Sequence, residues 1–217
     1  MLHKEPNALA NAAGLVGYPD LLAERLGTVD GLVALTSGAL PGRGQRIESL
    51  PVLRQFLDDY RAQILLPREW PAILRAYHHA SHQETRELIA LDQEYSLGPD
   101  WAAFAEASQR LGRQHLRRLR PLRDQRLVQR YDQAVRRGEA HGWHVLVYGV
   151  ILALYSLPLR QGLLSYAWLT LNGFIQSVSR PGPVSAKDAA GLMPEVSAGL
   201  PAAMEVLLDS SSGRIVP

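Results

Sequence analysis

The sequence predicts an all-α protein, a single-domain bundle of roughly eight to ten helices, and three observations carry that reading. Apolar residues recur at three- and four-residue spacing along most of the chain. Alternating β-branched and polar runs joined by Asn-Gly or Asp-Gly turns are missing. Prolines and glycines fall between the periodic stretches, where they end one helix and open the next. With 217 residues, 47% hydrophobic and 20% charged, the chain can bury a sizeable core. No internal repeat, low-complexity tract or interdomain linker interrupts residues 1–217.

After an irregular, Gly-rich opening over about residues 1–47, a helix is predicted from Glu48 to Leu65. Its stripe is Leu50, Leu53, Phe56, Leu57, Tyr60 and Ile64, and Pro67 should end it. Glu69 to Ala80 follows, with Trp70, Ile73, Leu74 and Tyr77 on one face, then Glu84 to Tyr95 with Leu88, Leu91 and Tyr95. Gly98-Pro99-Asp100 is a start signal for a helix that aligns Trp101, Phe104, Ser108, Leu111, His115 and Leu119 and closes at Pro121. Leu122 to Arg137 is next, with Gly138 as its stop. Val145 to Leu157 and Leu159 to Val178 are the most apolar helices, and they read as a buried hairpin turning at Pro158. The break at Arg180-Pro181-Gly182-Pro183 cannot be helical. Ala186 to Leu208 reads as one or two weaker helices around Pro194 and Pro201, before a frayed tail over about residues 209–217.

Several function classes fall away on composition. Zero cysteines exclude a disulfide scaffold, a thiolate nucleophile and a Cys-ligated metal. Met1 to Gly17 lacks the charged and apolar regions of a signal peptide, so the chain is expected to stay in the cytoplasm. The stretch Val145 to Leu159 is short of the ~20 residues of a membrane span. There is no Gly-Lys-Ser/Thr phosphate loop and no Gly-x-Ser-x-Gly elbow, and no catalytic residue is assigned.

Two features could carry binding. His78 and His82, four apart on one helix face, could share a metal or stand as solvated surface histidines; two ligands alone do not make a site. From Arg110 to Arg137, ten arginines face only Asp124 and Asp132, an excess of eight positive charges in a chain of net charge +2. That run is either a nucleic-acid groove or a charged face that pairs with acidic partners or stays wet, and Tyr131 is its one aromatic residue for base stacking. Small residues inside helices are a third clue. Glycine costs ~1 kcal/mol relative to alanine there, so Gly112 with Ser108 one turn earlier, and Gly149, mark close approach of neighbouring elements.

The stretch Glu106 to Arg113, with its Ser108-x-x-x-Gly112-Arg113 core, resembles a helix of the urease accessory protein F family (UreF). Trp143-His144 leading to Tyr148-Gly149 resembles that family's aromatic and His-rich entry into an apolar helix. Tyr166-Ala167-Trp168-Leu169, followed through Ser177 to Arg180 and Gly182-Pro183, resembles its later helix and turn, and order and spacing agree from about Leu50 to Met193. Two segments depart from the pattern. The family's N-terminal motif is reduced to Gly31-Leu32 and to Ser37-Gly38-Ala39-Leu40-Pro41, and of a later Gly/Gln/Asp-rich stretch only Asp188 remains.

The resemblance implies a cytoplasmic, often dimeric protein that is not itself an enzyme and holds no resident cofactor. It implies a scaffold that joins the D-type (or H-type) urease accessory protein, recruits the nickel-carrying G-type GTPase and helps load nickel, as cargo, into apo-urease. By the same resemblance, Ser37, Gly38, Tyr166, Arg180, Gly182, Pro183 and Asp188 are expected at partner contacts, with nucleic-acid binding through residues 110–137 as the alternative.

Overall fold

The computed structural model describes residues 47, 49–97, 102–119, 126–179, 184–185, 187–188 and 191–212. The predicted opening segment, the start signal at Gly98-Pro99-Asp100, the stop at Pro121 and the break at residues 180–183 lie outside them. Among the described residues there is no strand. The α-helices are α1 (Leu50–Tyr60), α2 (Trp70–Ser81), α3 (Thr85–Ser96), α4 (Ala102–Arg118), α5 (Arg126–Arg137), α6 (His144–Leu154), α7 (Leu159–Ser179), α8 (Leu192–Ser197) and α9 (Leu200–Ser212).

Pro67 does not end the first helix. Residues Arg61–Glu69 continue it as a π-helix that runs directly into α2. Proline has no N–H to donate and its ring clashes with the carbonyl four residues back. Widening the turn moves that carbonyl away, and the bonding becomes i→i−5, as where the Trp70 N–H donates to the Leu65 carbonyl. Pro71 follows at the second position of α2, within the same continuous run. Gly138 does act as the predicted stop, adopting φ +75° after α5.

The central element is α6, whose residues from His144 to Leu152 are all buried. A helix apolar around its whole circumference belongs in the middle of a bundle. It meets α7 through side chains as the expected hairpin, but its closest packing is elsewhere. Its principal neighbours are α2 and α4, whereas α7 packs on α1, α2, α8 and α9. The reason lies in side-chain size. Ala72, Ala76 and Ala80 make a small-residue seam on α2, and Gly149 of α6 sits where an added Cβ would lie 2.5 Å from the Ile73 carbonyl oxygen and 2.9 Å from the Ala76 Cβ. Backbones that approach this closely gain more dispersion contact than the chain-adjacent pair. α6 and α7 meet through side chains, where the Tyr148 hydroxyl donates to the Gly162 carbonyl at 2.8 Å and Tyr148 and His144 both lie against Tyr166.

The remaining helices close the bundle. α3 packs on α2 and α5, and Gly112 and Ser108 bring α4 onto α6. Phe56 and Tyr60 meet Phe174 edge-on at ring separations of 4.9 and 4.7 Å, fixing α1 against α7. Ion pairs tie the periphery: Arg54 to Glu195 at 3.0 Å, Arg75 to Glu94 through both guanidinium nitrogens, and Arg160 to Glu205. These are exposed pairs and contribute little individually. Among the described residues, no helix is long and apolar enough to cross a membrane.

Candidate functional site

The motif that carries the family resemblance folds into one junction. Ser108 accepts the His144 backbone N–H at 3.2 Å, satisfying one of the free donors at the start of α6. One turn on, a Cβ at Gly112 would lie 2.0 Å from the Gly142 carbonyl oxygen and 2.7 Å from the His144 nitrogen. No rotamer change relieves contacts with backbone, so only glycine admits α4 here. The Ser-x-x-x-Gly spacing is thus a docking groove for the backbone of residues 142–144.

Asp92 holds that backbone from the other side. Its fully buried carboxyl group accepts the His141 N–H at 2.6 Å and the Gly142 N–H at 2.9 Å. The Tyr131 hydroxyl donates to it at 2.6 Å, and the His141 ring lies 3.2 Å away. Trp143 donates through Nε1 to the Ser96 hydroxyl at 2.7 Å. One carboxyl group therefore joins α3, α5 and the loop into α6. The Tyr131 phenol is held well above its ordinary range by burial and by Asp92.

Beyond the junction a line of buried polar side chains crosses the core. The rings of His115 and His144 lie 5.2 Å apart, both about 1% exposed, and none of their four ring nitrogens has a hydrogen-bond partner in the protein. Burial pulls His115 down to about 4, with Arg118 adding to the effect. Burial and His115 pull His144 well below its ordinary value. Both rings are neutral at pH 7. His144 stacks on Tyr166 at 6.0 Å, and Tyr166 meets Tyr148 at 5.0 Å. The line ends at Glu69, on the π-helix, which accepts the Tyr60 hydroxyl at 2.5 Å and is hydrogen-bonded by Tyr166. Burial pushes Glu69 up to about 7, against the two phenols, which favour its anion.

Tyr166 requires a correction. The resemblance implies a partner contact, yet its side chain is 2% exposed and engaged with Glu69, Tyr148 and His144. It is a core residue that orients the polar line. Ser37, Gly38, Arg180, Gly182 and Pro183 lie outside the described residues. Asp188 is exposed and accepts the Ser185 hydroxyl at 2.6 Å, while its own N–H donates back to that hydroxyl at 3.1 Å.

His78 and His82 share the end of α2, but the His82 Nδ1 is bonded to the His78 backbone carbonyl at 2.8 Å. His79, between them, is paired with Glu84 at 2.8 Å. Among the described residues no group of three or more His, Cys, Asp or Glu side chains is placed to hold a metal. The described arginines of the run are on the outside: Arg110, Arg113, Arg117, Arg118, Arg126, Arg130, Arg136 and Arg137 are exposed.

Sequence reasoning missed Glu69, Asp92 and the pairing of His115 with His144. Asp92 was detectable, since it sits beside Leu88 and Leu91 on the buried face of its helix. Glu69 was masked by the prolines, which broke the register that places it four residues after Leu65 and four before Ile73.

The described residues form an all-α bundle whose core is built around one clamped junction. The UreF family matches residues 51–196, and the chain belongs to that family. UreF proteins are urease accessory proteins with a role in nickel insertion, not enzymes, and they work with other urease accessory proteins. No curated protein matches the chain.

Proposed function

We propose that this protein is the scaffold of a cytoplasmic urease-maturation complex. As a homodimer, it bridges the D/H-type accessory protein and the nickel-carrying GTPase and presents both to apo-urease. The observation that carries this reading is the family match over residues 51–196, which spans the Ser108–Gly112–His144 junction and most of the helical core. Nickel is the cargo of the complex. In this reading the segment from Arg180 to Asp188 docks a partner and biases GTPase-coupled release, with Ser37 and Gly38 as a second contact.

The test is co-expression of the tagged protein with the D/H-type protein, the GTPase and urease from the same genome, followed by purification at moderate salt and light scattering. The reading expects a stoichiometric complex built on a dimer of this chain. A folded protein that co-purifies with none of three soluble partners would overturn it.

A further inference from the structure

Among the described residues, the arginine face gathers the largest group of arginines without an acidic partner. On the other helices most arginines described meet acids, Arg54 with Glu195, Arg61 with Asp58, Arg75 with Glu94 and Arg160 with Glu205, while Arg86 on α3 is exposed without an acidic partner among the described residues. On α4 and α5, Arg136 pairs with Asp132 and Arg137 lies 3.9 Å from Glu139. Among the described residues, Arg110, Arg113, Arg117, Arg118, Arg126 and Arg130 have no acidic partner; Arg113 reaches only the Gln109 carbonyl oxygen. The helices that carry them pack on one another and bury their other faces, α5 through Leu127, Val128, Tyr131 and Ala134. A field of like charges left uncompensated costs self-repulsion, which a partner of opposite sign removes.

We propose that this face docks an acidic protein surface, a carboxylate-rich patch that takes the guanidinium forks in bidentate pairs. The geometry favours protein over nucleic acid. Tyr131, the one aromatic residue of the run, is fully buried and bonded to Asp92, so the face offers no ring on which a base could stack. The inference rests on the scaffold reading for the identity of its partners and adds a surface separate from the Arg180–Asp188 segment.

The experiment compares the wild-type full chain with Arg117→Glu/Arg126→Glu/Arg130→Glu, with the triple Gln variant, and with Arg86→Glu on α3 as an exposed control. Each is checked for helicity by circular dichroism, then titrated against the D/H-type protein, the GTPase and apo-urease from about 50 to about 300 mM NaCl. The face predicts that one partner loses at least about tenfold in affinity with the Glu triple, less with the Gln triple and nothing with the control, and that its wild-type affinity falls with salt. If partners bind and none is affected, the docking proposal fails while the scaffold reading stands. If no partner binds the wild type, the scaffold reading fails, and a peptide of about ten glutamates and a DNA duplex of about 20 base pairs decide the face. Retention of the peptide that the Glu triple abolishes supports docking of acidic protein. Retention of the duplex alone, or of neither probe, overturns it.

Discussion

Two buried polar clusters flank Trp143 and are handled in opposite ways. Around Asp92, acceptors and donors are matched: two backbone amides, a phenol and an imidazole converge on one carboxyl group. Around His115 and His144, four ring nitrogens have no partner in the protein. The difference lies in what each group can do to escape its cost. A carboxyl group keeps strong acceptors whatever its surroundings, and burying them unfilled is expensive, so a structure that buries one must bring donors to it. An imidazole can give up its charge and sit in the core as a neutral ring with one donor and one acceptor, and burial drives both histidines that way. The first cluster therefore specifies geometry, and the second mainly fills space.

That contrast can be broken first at Asp92. Asp92→Ala strips the acceptor from the Tyr131 hydroxyl and from the His141 and Gly142 amides together, with an expected loss of about 4 kcal/mol. Urea unfolding checks it, and a loss under about 1 kcal/mol would mean that the donors find other partners and that the carboxyl group does not organise the junction. Gly112→Ala comes next. Its Cβ meets only backbone, so the expected cost is about 3 kcal/mol, with α4 displaced from the start of α6.

The pH dependence sharpens the comparison at the other end of the polar line. Folded Glu69 keeps its proton up to about pH 7, whereas the unfolded chain releases it near 4.5. Its contribution is therefore greatest below pH 4.5 and is lost as pH rises to about 7, at no more than about 1.4 kcal/mol per pH unit. Glu69→Gln should flatten that slope in a series of melting curves, and an unchanged slope would remove Glu69 as its source. His115 acts with the opposite sign. Its folded value of about 4 lies below the ordinary 6.5, so its contribution is full above pH 6.5 and is lost as pH falls towards 4. His115→Leu should remove that acid-side loss and, at pH 7, change stability by less than about 1 kcal/mol. A neutral-pH loss above about 2 kcal/mol would show that the ring nitrogens are bonded after all, making the two clusters alike.

Much of this architecture was legible before the structure. The stripes of α1 to α3, the Gly138 stop and the small residues at Ser108, Gly112 and Gly149 follow from spacing and residue size alone. Periodicity shows which face is buried but not against what. For that reason α6 and α7, the two most apolar segments, read as partners when the alanine seam of α2 is the closer fit for α6. Pro67 misled because the rule that proline stops a helix assumes α geometry. Tyr166 was placed at a partner surface by motif position, and a motif residue can be there to shape a core instead.

The π-helical stretch also works as a phase shifter. Each residue of an α-helix turns the chain by about 100°, and a wider turn advances less, so Arg61–Glu69 resets which way the following side chains point. One unbroken helical run can then face two different neighbourhoods, with α1 turned to α7 and α8 and α2 turned to α3 and α6. A single-residue deletion between Arg61 and Glu69 would leave both halves helical and both stripes intact, yet would aim the alanine seam away from Gly149. The fold is sensitive there to the count of residues more than to their identity.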